Sequence, residues 1–428
     1  MTGRLVVHLG GRIAGHFSRR DADHIDFSYS SDWVDAWRAG QAHQISVSLP
    51  VSPSDVKLDA TAFVAGLLPD SARHRTLIAE ELGIGDDPSD FAFLSRIGRD
   101  SAGALMILPE DQGVNRSAAP GVDWLSDAEL ADHLRSLPRR PLLIDEDEGI
   151  VLSLAGVNDK AAVIYRKGGI GLPKNGMPST HIIKVDIPGL EDSIKTEFFC
   201  LELARNVGLR TPRASIEVVE DQTFMLMQRY DRAVRDNRLE RVHQEDFCQA
   251  LNVMPSKKYE RYGGPSWGDC FDLMSVTANP VAARAALLHE AVFQFLTGNP
   301  DAHAKNYSLI YRGSSGSIDL SPIYDLNNAA AFRDSFKRAK PIMAMFIGKE
   351  RNRDKVTADD WRDFAKDCGI SYATVEREIK ALASKILEAL PSARDTTPSC
   401  RAVNIAHDDI EQRCLMWRRY RLDPDIEP

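Results

Sequence analysis

The stretch GNPDAHAKNYSLIY, Gly298 to Tyr311, decides how the rest of the chain is read. It comes after a helix signalled at both ends: Asn279 stands as cap, Pro280 at the first position and Gly298 just past the last turn. Ala285, Leu288, Val292, Phe295 and Leu296 form the helix's apolar face. A polar loop and then an apolar run come next, the pattern of a loop opening into a strand. Within the loop, Asp301 and Asn306 have D-x-x-x-x-N spacing. Phosphoryl transfer needs a carboxylate to accept a hydroxyl proton and an amide oxygen to bind magnesium. Asp and Asn are also ordinary turn formers, so this loop alone fits a plain turn equally well.

Residues to either side break the tie. Downstream, LSPIYDLNN places Asp325 at the end of a short apolar strand, where a second magnesium-binding carboxylate stands in protein kinases. Upstream, Lys184 closes the strand HIIKV, as a phosphate-binding lysine does. The next helix, Ser193 to Val207, carries Phe198, Leu201, Ala204 and Val207 on one stripe and stops at Gly208. Glu197 shares that stripe, where a carboxylate needs a cation, and Lys184 is the natural partner. Taken singly, Lys184 reads as a strand-end lysine, Glu197 as a first-turn acid and Asp325 as a turn cap. SLAGVNDK, Ser153 to Lys160, has one glycine and reads by itself as a hairpin turn whose N–H groups could cradle phosphate. The order Lys, Glu, Asp, Asn, Asp is that of a kinase, and the conjunction favours phosphoryl transfer.

The chain's 428 residues exceed what one core usually supports, which predicts several lobes. The N-terminal segment alternates as strands: Leu5–Leu9 and Ile13–Phe17 around Gly10-Gly11, then Ile25 to Tyr29 and Ile45 to Leu49. Thr61 to Gly83 is helical with a break at Pro69-Asp70, and the acidic, proline-containing stretch Pro109 to Asp147 reads as a junction. Ile216–Val219 and Phe224–Met227 form strands around Asp221, and the remainder of the chain is mostly helical. The 53 Lys and Arg against 62 Asp and Glu leave a net charge of −9, which excludes nucleic-acid binding over the whole surface. Six scattered cysteines without C-x-x-C spacing argue for a reducing compartment, and no stretch matches a signal peptide or membrane span. The expectation is a cytoplasmic protein.

SLAGVNDK, STHIIKVDIPGLEDSIKTEFFCLELARNVGL, MQRYDR, HQEDFCQALNV, GNPDAHAKNYSLI and LSPIYDLNNA together resemble the HipA family of serine/threonine kinase toxins. The resemblance extends through ISVSLPV, LLPDSARHR and LSRIGRDSAGALMILPEDQG and so covers most of the chain. It implies an α+β, protein-kinase-like two-lobed fold: an N-terminal β-rich subdomain (residues 1–145), a kinase-like N-lobe (146–232) and an all-helical C-lobe (233–428). It implies Asp301 as catalytic base, and Asn306 and Asp325 on Mg2+. ATP would be held by Lys184, by the loop Ala155, Gly156, Val157, Asn158, Asp159 and Lys160, and by the hinge Gln228, Arg229 and Tyr230. His303, Ala304, Lys305 and Tyr324 fall on the same ATP-binding set, and Glu197 would pair with Lys184. Family members often have Glu where Gln228 stands. Ser153 matches the family's autophosphorylated serine, and a phosphate there would eject the loop beside bound ATP. The resemblance further implies an aminoacyl-tRNA synthetase such as glutamyl-tRNA synthetase as substrate, growth arrest, and a HipB-like helix-turn-helix antitoxin that carries the pair to operator DNA.

Two rival readings stand beside this one: a HipA-like kinase that acts without toxicity on a small molecule or another protein, and a DNA-binding regulator. DFAKDCGISYATVEREIKAL, Asp363 to Leu382, has the offsets of a helix-turn-helix, although Glu376 and Glu378 would repel phosphate. Separately, the basic cluster KERNRDK, Lys349 to Lys355, reads as a solvated loop, or through Arg351 and Arg353 as an auxiliary DNA phosphate contact within an antitoxin complex.

Overall fold

The computed structural model describes residues 3–85, 87–110, 120–143, 159–235, 238–333 and 342–419. Ser153, Ala155, Gly156, Val157 and Asn158 lie outside the described residues; Asp159 and Lys160 lie within them. The chain is α+β, as expected, and divides into two compact units. One comprises Met1–Val185, Glu217–Ser256 and Ser308–Asp319, the other Asp186–Ile216, Lys257–Tyr307 and Leu320–Pro428.

The first unit is built on two sheets. Gly10 and Gly11 both have left-handed backbone, φ +60° and +78°, which a two-residue hairpin turn requires. They join β1 (Arg4–Leu9) to β2 (Arg12–Arg19). With β3 (Ile25–Tyr29), β4 (Leu58–Asp59) and β5 (Leu105–Pro109), the order is β4-β3-β2-β1-β5. Alternation buries Leu5, Val7 and Leu9 against Phe17, Phe27 and Phe63. The second sheet uses β6 (Gly121–Trp124), β7 (Lys160–Arg166), β8 (Gly169–Lys174), β9 (His181–Lys184), β10 (Ala214–Val219) and β11 (Gln222–Gln228). Its order is β10-β11-β9-β7-β8-β6.

Two expectations are corrected by these elements. The junction at Pro109 to Asp147 supplies β6, which pairs with β8, and the helix Asp127–Ser136. Its acidic character is partly a reciprocal Ser126–Glu129 capping box rather than a solvated linker. Ile45 to Leu49 is not a strand, because side chains take up its backbone groups. The Tyr29 hydroxyl donates to Leu49 O and accepts from Ile45 N at 3.0 Å, and Val47 N donates to the Glu245 carboxylate at 2.9 Å. Ser46 and Tyr311 donate to the same carboxylate, which burial pushes up to about 7.

The second unit is mainly helical, with a short hairpin formed by Ile342–Ile347 and Glu350–Asn352. Its centre is aromatic: Phe295 of the Pro280–Thr297 helix meets Trp361 and Trp417 edge-on, with ring centroids 5.2 and 5.1 Å away. Asp363 to Leu382 does form two helices, Ala358–Asp367 and Tyr372–Thr396, turned at Gly369 (φ +61°). The second is 25 residues long and buries Val375, Ile379, Leu382 and Ile386, so it is a core hairpin. Glu378 pairs with His289 at 2.6 Å and Glu376 with Lys380 at 2.5 Å, so both acids are engaged within the helical packing. Arg353 cannot contact DNA: it is 3% exposed and bound to Asp409 at 3.0 Å.

Candidate active site

The second unit assembles the loop between Gly298 and Tyr307. Asn279 caps the Pro280–Thr297 helix by accepting from Ala282 N at 3.1 Å, and Gly298 ends it at φ +72°. A Cβ on Gly298 would overlap the Arg353 guanidinium, so glycine is required on two counts. The next residue, Asn299, binds both candidate carboxylate loops. Its side-chain oxygen accepts from Asp301 N at 3.1 Å, and its amide donates to Asp325 O at 3.1 Å. Asn328 adds a second tie, donating to Thr297 O at 2.7 Å, while Ala329 N donates to Gly298 O at 3.1 Å.

Inside the loop, His303 N donates to Asp301 O at 2.8 Å and Asn306 N to His303 O at 2.9 Å. The Asn306 amide donates to Asp301 O at 2.8 Å, which turns its oxygen to the opposite side. Asp325 has left-handed backbone, φ +52°, as carboxylates at functional turns often do. An amide oxygen from Asn306 and a carboxylate from Asp325 would be hard-oxygen donors, which suit magnesium better than a softer metal. Asp301 keeps half its side chain exposed (51%), whereas His303 is 3% exposed and is pushed down to about 4 by burial, with Lys258 and Lys305 acting in the same direction. His303 is therefore neutral near pH 7. Ala304 and Lys305 are buried, and the Tyr324 hydroxyl donates to Lys305 O at 3.1 Å. Glu197 is 5% exposed on the Ser193–Asn206 helix; Asp186 holds that helix's start, accepting from Asp192 N and Ile194 N at 3.0 Å.

The first unit holds the remaining candidates. Lys184 lies on β9 directly across from Lys160 on β7 and Met225 on β11, with Lys184 2% and Lys160 9% exposed. The register sets the two lysines side by side on one face of the sheet. Asp159 turns its carboxylate to His74 Nε2 at 2.9 Å, and its carbonyl accepts from Val185 N at 3.4 Å. Gln228 is exposed opposite His181. Arg229 gives its N–H to Thr180 O at 3.0 Å and buries its guanidinium against Asp231 at 2.7 Å and Ser179 Oγ at 2.9 Å. Tyr230 donates its hydroxyl to Gln244. What Arg229 can offer a ligand is thus its carbonyl rather than its side chain.

Sequence reasoning missed three side chains at this site. Asn299 and Asn328 were not singled out in the sequence, although each is an amide side chain next to a candidate loop and so able to bridge two backbone segments. Tyr259, whose hydroxyl donates to the Asp301 carboxylate from 42 residues away, left no local signal at all.

Known proteins resemble this chain over most of its length. Residues 5–108 match the family described as "HipA N-terminal domain" and residues 152–393 that described as "HipA-like C-terminal domain". A "Putative kinase Y4mE" of Sinorhizobium fredii is 37% identical over 93% of each chain. The "Serine/threonine-protein kinase toxin HipA" of Shewanella oneidensis is 27% identical over 90% of this chain and 88% of its own. The solved complex of Shewanella oneidensis HipA with HipB and its operator DNA contains a chain that superposes with a TM-score of 0.82 at 26% identity, covering 96% of both chains.

Proposed function

This chain belongs to the HipA family of kinases, and from that premise we propose that it transfers the γ-phosphate of ATP to a serine or threonine of a translation protein. The acceptor protein is an aminoacyl-tRNA synthetase, glutamyl-tRNA synthetase first among them, and its modification in the cytoplasm arrests growth. A HipB-like antitoxin restrains the kinase and brings it to operator DNA, by analogy with the Shewanella complex.

One observation carries the reading: Asn299 ties the Asp301 loop to the Asp325 loop and leaves the Asp301 carboxylate half-exposed. In the reaction, the acceptor hydroxyl oxygen bonds to the γ-phosphorus while the bond to the ADP oxygen breaks. The hydroxyl proton passes to Asp301, and ADP leaves with the bonding electrons. Asn306 and Asp325 would hold magnesium, which neutralises phosphate charge when bound. Lys184, with Glu197 as its counter-ion in the family pattern, and Lys160 would hold the phosphates. By the family pattern, the loop Ala155–Lys160 would cover them, and Gln228, Arg229 and Tyr230 would border adenine through their backbone. Phosphorylation of Ser153 would place close to two negative charges at that loop and switch the enzyme off.

The test is radiolabelled ATP with bacterial lysate. The parent protein should label itself and a lysate protein, and Asp301→Asn and Asp325→Asn should each lose roughly 10²-fold or more of both signals. A parent protein that labels neither would overturn the reading.

A further inference from the structure

The Lys257 to Gly264 turn faces the candidate base and lies outside the phosphate-binding and magnesium-binding sets. Its tyrosine is held from several sides. Tyr262 N and Gly264 N both donate to Tyr259 O, at 3.0 and 3.1 Å. Gly264 permits this closure, because a Cβ there would run into the Lys257 carbonyl. The Tyr259 ring meets His303 edge-on with centroids 5.0 Å apart, and the Arg261 guanidinium lies 5.0 Å over its face. A ring fixed in this way can aim its hydroxyl, and the target is Asp301 Oδ1.

We infer that Tyr259 is a positioning residue for Asp301: its hydroxyl occupies Oδ1 and so aims Oδ2 at the acceptor hydroxyl. This rests on the base role proposed for Asp301. Among the described residues, no other side chain donates a hydrogen bond to that carboxylate. His303 Nε2 is 3.7 Å from Oδ1, too far for one. The main chain of the loop fixes only the Asp301 backbone, through Asn299, His303 and Asn306. A half-exposed carboxylate with one anchored oxygen presents the other in a single direction, and orientation of a base contributes directly to rate. A competing role, in which the phenol occupies the acceptor's place, is less consistent with the contact: it engages one oxygen and leaves the second without a partner among the described residues.

Tyr259→Phe removes the hydroxyl and keeps the ring contacts, so folding should be preserved. With radiolabelled ATP and lysate protein as acceptor, Tyr259→Phe should lower kcat about ten-fold, a fraction of what a general base supplies. KM for ATP should stay within about two-fold, as for an interaction made only in the transition state. In an Asp301→Asn background, the same substitution should change the residual rate by less than about two-fold, because Tyr259 acts through Asp301. Parental kcat in Tyr259→Phe, a lower KM for acceptor at unchanged kcat, or an equal loss in both backgrounds would overturn the inference. Asp301→Asn at the parental rate would instead overturn the base reading, and this inference with it.

Discussion

Replacing Asp100 with asparagine should destabilise the first unit more than any other change of one buried atom pair. Asp100 lies in the N-terminal matched region, and its side chain is fully buried. It receives Arg232 Nη2 at 2.9 Å, Arg241 Nε at 3.0 Å and Ser179 Oγ at 3.0 Å, with Arg229 Nη1 at 3.8 Å. Asp231, also buried, receives Arg229, Arg232 and Gly103 N. Three guanidinium groups thus share two carboxylates, one from each matched region. Burial alone would raise the Asp100 carboxyl; Arg232, Arg229 and Arg241 outweigh it and hold it below the ordinary range. Burial lowers Arg232 to about 10, with Arg229 beside it pushing in the same direction. Asp100→Asn keeps the volume, raises the excess from one positive charge to two and turns an amide donor toward arginines. Breaking one side of a buried ion pair costs about 3–5 kcal/mol. At roughly 2–4 °C per kcal/mol for a domain of this size, the unfolding midpoint should fall by about 10 °C. Thermal unfolding at pH 7 measures the midpoint and urea unfolding the free energy. Adding Arg241→Gln should recover part of the loss, because it restores the charge balance and Arg241 is the most exposed of the three (18%). A variant within about 1 kcal/mol of the parent, or a double variant that merely adds the two losses, would refute the reasoning.

Two further predictions concern the second unit. Glu290 is buried on the Pro280–Thr297 helix, and burial pushes its carboxyl from the usual 4.5 up to about 8. The folded chain therefore binds a proton that the unfolded chain has released between those values, and this contribution to stability is lost as pH rises across that window, by up to ~1.4 kcal/mol per unit. Glu290→Gln should flatten that slope in thermal unfolding from pH 5 to 8; an unchanged slope would contradict it. Gly298→Ala should cost at least ~3 kcal/mol, since it combines left-handed strain with displacement of Arg353 from Asp409. Gly263→Ala, at φ +80° in open space, should cost only about 1 kcal/mol, and equal losses at the two glycines would show that Arg353 is not displaced.

What was legible in the sequence was whatever is encoded within a few residues. The Pro280–Thr297 helix announced itself through Asn279, Pro280 and Gly298, and β9 through its apolar run ending in Lys184. Gly10-Gly11 specified its hairpin for the same local reason. The misreadings occurred where a distant side chain decides the outcome. Ile45 to Leu49 alternates like a strand, yet Glu245, 198 positions from Val47, binds its backbone. Arg353 sits in a run of charges that reads as a solvated loop, and distant Asp409 and Gly298 are among the partners that bury it. Tyr259 was invisible because nothing near it in sequence points to Asp301.

Those distant contacts change how the N-terminal region should be regarded. A detachable module would meet the rest of its unit through a modest surface of exposed side chains. Instead, four fully or largely buried polar links join residues of the N-terminal match to residues of the C-terminal match: Asp100 to Arg232 and Arg241, His74 to Asp159, Val47 to Glu245, and Phe63 O to Gln249. Each partner left behind by removing the N-terminal region would lose the hydrogen bond or ion pair that fixes its side chain. Two of the links, moreover, end beside proposed nucleotide-binding elements: His74 holds Asp159 at the end of the phosphate loop, and Asp100 braces the arginines that come after Gln228. The N-terminal sheet is thus structurally part of the nucleotide-side unit, and the family's two matched regions fold around one shared set of buried charges.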